Sequence, residues 1–346
     1  RSEAFACHRR AIAINPRRNV FWAGMAISLE TLSIESADDK IWQDLLCLLE
    51  QTTVKPSTVF LPILSFLRRF SDLSQILKTA NSWKSETAVD YRSVSEQLSS
   101  IPLFLRILEL SPIYDLEIER MLTILRRSML RETIVGKMAE EGLPFSLALA
   151  LQCFTNEYVF VETNKEKALV ELLEKRIATL LNCKQNVSSQ LIATLGAYRS
   201  LGSFSWAHEL CDGGMMRDIK QVMERQILEP KKEQALRSLI PRLTSIENTI
   251  SVLVREQYEE NPYPRWIKTG IMDKGKAIRA VLQGSPINLD LGDYVSPENP
   301  EILVAGCGTG RQAVNTVSRF SNARVLAVDL SLSSLSYALR KTNELG

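Results

Sequence analysis

The sequence predicts a multidomain protein, with an all-α region of helical-repeat character followed by the start of an α/β unit built on a parallel sheet. Three observations carry this reading. Through the first 250 residues or so, apolar side chains recur at the i, i+3, i+4, i+7 spacing that places them on one helical face. Almost no segment there alternates as a half-buried strand does. From Glu301 the pattern changes to strand, glycine loop, helix, strand, helix. The 346 residues have room for two or three domains. The text divides at about residues 1–55, 56–250, 251–299 and 300–346.

Residues 1–55 read as partial helical repeats. Ala4, Ala11 and Pro16 stand at the spacing of the second helix of a tetratricopeptide repeat, which ends in a turn-forming proline. Trp22, Met25, Ala26 and Leu29 then fall where the next repeat's first helix sets an aromatic, an apolar, a small and a large apolar residue. His8 takes a slot usually filled by a larger aromatic, and Trp42, Leu45 and Leu46 continue the register loosely.

Residues 56–250 form the all-α domain. Ile118, Met121, Leu122, Leu125 and Met129 make one helical stripe, and Leu169, Leu172, Leu173, Ile177 and Leu180 another. Thr163 and Glu166 have the spacing of a capping box that starts the second of these helices. Breaks are expected at Pro56, Pro112, Pro144, Gly202 and the Gly213–Gly214 pair. Residues 251–299 read as a linker: a helix that stops at Pro262 and Pro264 amid aromatics, a short helix from Lys274 to Leu282, and a turn-rich stretch with Gly292, Pro297 and Pro300.

The chemistry lies in residues 300–346. Ile302, Leu303, Val304 and Ala305 form a continuous apolar run, expected of a parallel strand buried on both faces. Gly306, Gly308 and Gly310 follow, then a helix from Arg311 to about Phe320, a strand from Arg324 to Val328 ending in Asp329, and a helix from Leu332 to Leu345 capped by Ser331. Gly306 is expected to permit a sharp exit where a Cβ would clash, Gly308 to offer bare backbone to a ligand, and Gly310 to let the following helix approach the sheet. Asp329 emerges at the carboxyl end of the neighbouring strand, where a carboxylate can accept both ribose hydroxyl protons of an adenosine. The dinucleotide fingerprint sets its last glycine five residues after the first; here the third glycine comes at four and Arg311 holds the fifth position. S-adenosylmethionine (AdoMet) has no pyrophosphate to cradle, and the loop favours it over a dinucleotide. A dinucleotide-dependent oxidoreductase is the disfavoured reading.

The string Glu301-Ile302-Leu303-Val304-Ala305-Gly306-Cys307-Gly308-Thr309-Gly310 resembles the first motif of class I AdoMet-dependent methyltransferases. Val328-Asp329-Leu330-Ser331 with Ser334, Leu335, Tyr337 and Ala338 is similar to bacterial tetratricopeptide-repeat members of that family. So are Gln152-Cys153-Phe154 with Asn156-Glu157-Tyr158, and the stretch from Gln257 to Trp266. The resemblance implies a Rossmann-like domain whose loop (Ala305, Gly306, Cys307, Gly308, Gly310) holds the methionine portion of AdoMet, while Asp329 and Leu330 meet the ribose side. It supplies no substrate and no catalytic residue. Such a domain has seven strands, and two are present here, so the chain is expected to be a fragment truncated at both ends.

Two roles stay open for Tyr258, Tyr263 and Trp266: a lid or substrate contact over the cofactor, or an interdomain packing knot. For Asn156, Glu157 and Tyr158 a satisfied polar helix end is the plainer alternative to a substrate-facing site. Cys307 reads as a small residue tolerated in the loop, and His208 as structural.

Composition narrows the classes. With 42 basic against 40 acidic residues, interspersed, nothing electrostatic points to nucleic acid. Apolar runs such as Leu143–Leu151 fall far short of the ~20 residues of a membrane span, and no charged-then-apolar leader suggests secretion. Six scattered cysteines, none closer than 28 residues to another, and two histidines make a metal site unexpected and suit a reducing cytoplasm. The expected function is an AdoMet-dependent methyltransferase acting on a protein or peptide recruited by the repeats. The alternative is a repeat scaffold carrying a non-catalytic AdoMet-binding module. Composition sets no oligomeric state.

Overall fold

The computed structural model describes residues 2–30, 32, 34, 38–84, 89–137, 140–212, 218–271, 274–285 and 287–346. The expected Gly213–Gly214 break lies outside the described residues. Most described residues are helical, and a single two-stranded parallel sheet is present among them. The chain forms two compact units: Ser33–Leu46 with Phe60–Lys231, and Arg1–Leu32 with Cys47–Val59 and Lys232–Gly346. No helix among the described residues is long and apolar enough to cross a membrane. All six cysteines are free thiols.

In the first unit, helix Leu143–Thr155 is buried along nearly its whole length, as its all-round apolar sequence requires. Helices Tyr91–Ser99, Pro102–Leu110 and Ser189–Gly196 pack around it. Its few polar side chains are paired. With its amide oriented to match its neighbours, Gln152 donates to Leu108 O at 2.8 Å and Ser111 O at 2.9 Å and accepts from Ile113 N–H at 3.1 Å. Ser146 meets the Tyr91 hydroxyl at 2.6 Å. Gln226, fully buried in the π-helical turn Glu224–Leu228, donates to Ala150 O (3.1 Å) and Gly196 O (3.0 Å) and accepts from Leu201 N–H (3.2 Å).

A second buried network joins helices Leu116–Ile134 and Asn164–Asn182. The Thr163–Glu166 capping box forms as expected. Glu166 also takes the Tyr198 hydroxyl at 2.8 Å and an ion pair from Arg127 at 3.2 Å. Burial would raise its pKa, but the Thr163 and Tyr198 hydrogen bonds and the Arg127 charge outweigh it, and the carboxyl sits below its ordinary value. Arg126 lies 4.2 Å from the Tyr198 ring centroid and donates to Phe160 O and Val161 O. One expectation needs correction: the seam of Asn164–Asn182 runs through Glu166, Val170, Leu173 and Ile177, and Leu172 is 51% exposed. Glu166 faces inward to Tyr198 and Arg127, and the buried stripe runs in line with it.

In the second unit helices Ser2–Ile14 and Asn19–Leu29 pack on each other across a short turn, with Phe5, Ile12, Trp22, Met25, Ala26 and Leu29 buried. Trp22 Nε1 donates to Pro16 O at 2.7 Å, fixing the turn. His8 packs on Gly24, where an added Cβ would lie 2.3 Å from the ring. The missing aromatic bulk is thus matched by a missing side chain opposite.

The same unit holds residues 251–299 together with the strands. Helix Thr249–Glu260 is capped by Asn248, and the expected helix from Lys274 starts at Ile278 and ends at Gln283. Residues 47–59 pack here too: Lys268 Nζ donates to Leu49 O at 2.6 Å and Ile271 N–H to Thr52 O at 3.3 Å. Strands β1 (Glu301–Ala305) and β2 (Arg324–Val328) pair in parallel, Glu301 opposite Arg324 and Ala305 opposite Val328. Helix Arg311–Arg319 joins them, and helix Leu332–Leu345 follows β2. Val304, Cys307 and Ala313 make the local core, with Val325, Ala327 and Leu335 against it. The expected burial of β1 on both faces does not occur: Leu303 is 63% exposed and Leu326 59%. Both side chains lie on the face that this core leaves uncovered.

Gln226→Ala should cost the first unit about 1–3 kcal/mol, because the buried Leu201 N–H would lose the Gln226 amide as its partner and two buried carbonyls would each lose one hydrogen bond. Urea unfolding followed by far-ultraviolet circular dichroism checks this, and an unchanged midpoint would contradict the pairing.

Candidate functional site

The site is built at the carboxyl ends of the two strands. β1 ends in Gly306, Gly308 and Gly310, all with left-handed backbone (φ 67°, 53° and 81°), a conformation that disfavours any residue with a Cβ. Around Gly306 no atom lies within 4 Å of where a Cβ would stand, and near Gly308 only Tyr263 O does, at 4.0 Å. The expected clash at Gly306 is therefore absent; its backbone angle is what requires glycine. At Gly310 the opposite holds. A Cβ would meet Ala338 Cβ at 2.5 Å and Ala338 Cα at 3.1 Å. The close approach that Gly310 permits is that of helix Leu332–Leu345, not of the helix that follows the loop.

Asp329 ties the two strand ends together. Its Oδ2 accepts from Gly308 N–H at 2.7 Å and its Oδ1 from Ser331 N–H at 2.9 Å. Cys307 N–H continues the ladder to Val328 O at 3.1 Å, which turns the thiol into the core. Burial and the neighbouring Asp329 charge push that thiol up to about 11, so it is no nucleophile near neutral pH.

An open depression of about 1990 Å³ includes these strand ends and extends over the exposed sheet face past Val317, Phe320 and Leu326. Gly306, Cys307, Gly308, Gly310, Asp329 and Leu330 line it; Ala305 does not. Of the three aromatics singled out in the sequence, Tyr258 and Tyr263 line the cleft and are 41% and 43% exposed. Trp266 is 5% exposed and takes no part in the lining. Its Nε1 donates to Thr309 O at 2.8 Å, its carbonyl accepts from the Tyr337 hydroxyl at 2.7 Å, and the two rings meet edge to face at 6.2 Å. Thr309 Oγ1 in turn donates to Pro264 O at 2.7 Å. Trp266 thus supports the loop from within the unit. Asn156, Glu157 and Tyr158 belong to the other unit, at the end of helix Leu143–Thr155, where Glu157 and Tyr158 both have positive φ and Tyr158 N–H caps Cys153 O at 2.8 Å.

One group that the sequence reading passed over is central. Glu259 Oε1 accepts from the N–H groups of Leu332 and Ser333, the latter at 3.1 Å, and Oε2 lies 2.8 Å from Ser333 Oγ and pairs with Arg237. Ser331 caps the same helix, accepting from Ser334 N–H at 3.0 Å while its hydroxyl donates to Tyr258 O at 2.9 Å. The spacing from Glu259 to Ser333 is too long for any local motif to signal. Burial would raise the Glu259 pKa, but the hydrogen bonds from Ser333 and Leu332 and the Arg237 charge prevail and hold it below the ordinary carboxylate value.

No family model, curated protein or solved structure matches the chain.

Two outcomes follow from this geometry. Gly310→Ala should lower the stability of this unit by about 2–4 kcal/mol through steric overlap and backbone strain, and adding Ala338→Gly should recover the steric part alone; thermal unfolding of the three proteins measures it. For Glu259, a lowered folded pKa means that its stabilisation is complete above the unfolded carboxylate pKa and is lost as pH falls through the folded value. Hydrogen-exchange protection at Ser333 should therefore fall as the solution is acidified below that range, and Glu259→Gln should flatten the pH dependence.

Proposed function

We propose that this chain carries the AdoMet-binding part of a methyltransferase, with a Rossmann-like site at β1 and β2 and helical repeats that recruit a peptide or protein acceptor. The observation that carries the reading is the loop itself: three left-handed glycines against Asp329 at the mouth of the cleft. The space left beside Gly306 and Gly308 is a cradle that a side chain would fill, and it suits a ligand laid against bare backbone.

The glycine spacing favours AdoMet over a dinucleotide, since Arg311 stands where the dinucleotide fingerprint has its last glycine. A dinucleotide pyrophosphate needs the loop N–H groups for itself. Here Gly308 N–H is already taken by the Asp329 carboxylate. Asp329 keeps further lone pairs for ribose hydroxyls, since a carboxylate offers about four acceptor sites and two are used. When bound, AdoMet supplies an electrophilic methyl group. The glycine loop would hold its methionine portion, Asp329 and Leu330 its ribose side, and Tyr258 and Tyr263 would wall the cleft and limit water. The helix pair of Ser2–Ile14 and Asn19–Leu29, with its Trp22, Met25, Ala26 and Leu29 face, supports the repeat reading on which the acceptor class rests.

Calorimetric titration tests the cofactor. AdoMet should bind saturably and NAD should not, and Asp329→Ala should weaken AdoMet binding by about 10- to 100-fold, the worth of charge-assisted hydrogen bonds. A folded protein that fails to bind AdoMet, or binds it equally well without Asp329, would sink the proposal.

A further inference from the structure

Asp329 is set in place by a relay that begins outside the glycine loop. Glu259, at the end of helix Thr249–Glu260, grips the first turn of helix Leu332–Leu345 through the N–H groups of Leu332 and Ser333 and the Ser333 hydroxyl. Tyr258, its neighbour, takes the Ser331 hydroxyl through its carbonyl at 2.9 Å. Ser331 N–H then meets Asp329 Oδ1 at 2.9 Å, and Asp329 Oδ2 meets Gly308 N–H at 2.7 Å. Residues 258 and 259 thus hold residues 331–333, and those residues hold the acid. An ionised carboxylate at Glu259 suits the task, because the N-terminal N–H groups and dipole of the helix both favour negative charge. Arg237 fixes the carboxylate from its other side.

We propose that Glu259 is a positioning residue for the cofactor: it orients Asp329 toward the ribose by clamping the turn that carries it. This inference rests on the AdoMet reading and extends it to a residue on the helix before the strands. A residue that merely stabilised the unit would act independently of Asp329. A residue that acts through Asp329 has nothing left to contribute once that carboxylate is gone.

A double-mutant cycle on the full chain separates these cases, with AdoMet as the titrated probe. Glu259→Ala should weaken AdoMet binding about tenfold. Asp329→Ala combined with Glu259→Ala should bind no more weakly than Asp329→Ala alone. Glu259→Gln, whose amide oxygen can still accept from Leu332 and Ser333, should recover most of the loss, and Glu259→Asp, one methylene shorter, replaces Glu259→Ala in the cycle if that variant does not fold. Multiplying losses in the double variant, or wild-type affinity in Glu259→Ala, would overturn the role while leaving the cofactor assignment intact. Failure of the unaltered protein to bind AdoMet would instead overturn the cofactor reading, and this role with it.

Discussion

The contact between Gly310 and Ala338 is the point on which the site depends. A loop of three left-handed glycines has many conformations open to it when free, and the glycines alone do not select one. Selection comes from helix Leu332–Leu345, which approaches until no room remains for a Cβ at Gly310. That helix is in turn held at its first turn by Ser331 and Glu259 and along its length by Tyr337, which bonds the Trp266 carbonyl. Arg340, 3% exposed on the same helix, pairs with Glu233 at 2.9 Å. Loop, acid and helix are therefore one object, and none of the three keeps its geometry without the others.

The helical unit follows a different rule. Its central helix is apolar on all sides, so the constraint there is the polar remainder. Gln152 and Gln226 each bond two carbonyls and one N–H between neighbouring segments, and Gln226 is the partner of Leu201 N–H. The buried Arg126, Arg127, Glu166 and Tyr198 group does similar work between helices, with hydrogen bonds to carbonyls and an aromatic face sharing the charge.

What was legible in the sequence is what local geometry determines. The bounds of β2, the Ser331 cap, the Thr163–Glu166 box and the helix ending before Pro262 all depend on neighbours a few residues apart, and the structure has them where the spacing put them. The residues of the site were legible for the same reason, since the glycines and Asp329 lie in one short stretch. Glu259 was not, because its partners are 73 and 74 residues away. Trp266 was legible as an aromatic of consequence but not in its role, which is set by Thr309 O, 43 residues on. The exposed Leu303 and the inward Val170 show the other limit: periodicity says which side chains are apolar, and the number of neighbouring elements says which of them are covered.

The second unit is assembled from distant pieces of chain, with residues 1–32 and 47–59 joined to residues 232–346. That has a consequence for how the protein comes into being on the ribosome. The early pieces emerge first, yet the partners of Leu49 and Thr52, namely Lys268 and Ile271, are made more than 200 residues later. At roughly 5–20 residues per second, the wait is on the order of ten to forty seconds. During that interval the intervening residues 60–231 can complete their own core, and its formation shortens the effective loop that the ends must close. Residues 60–231 can thus order before the pieces on either side of them are joined.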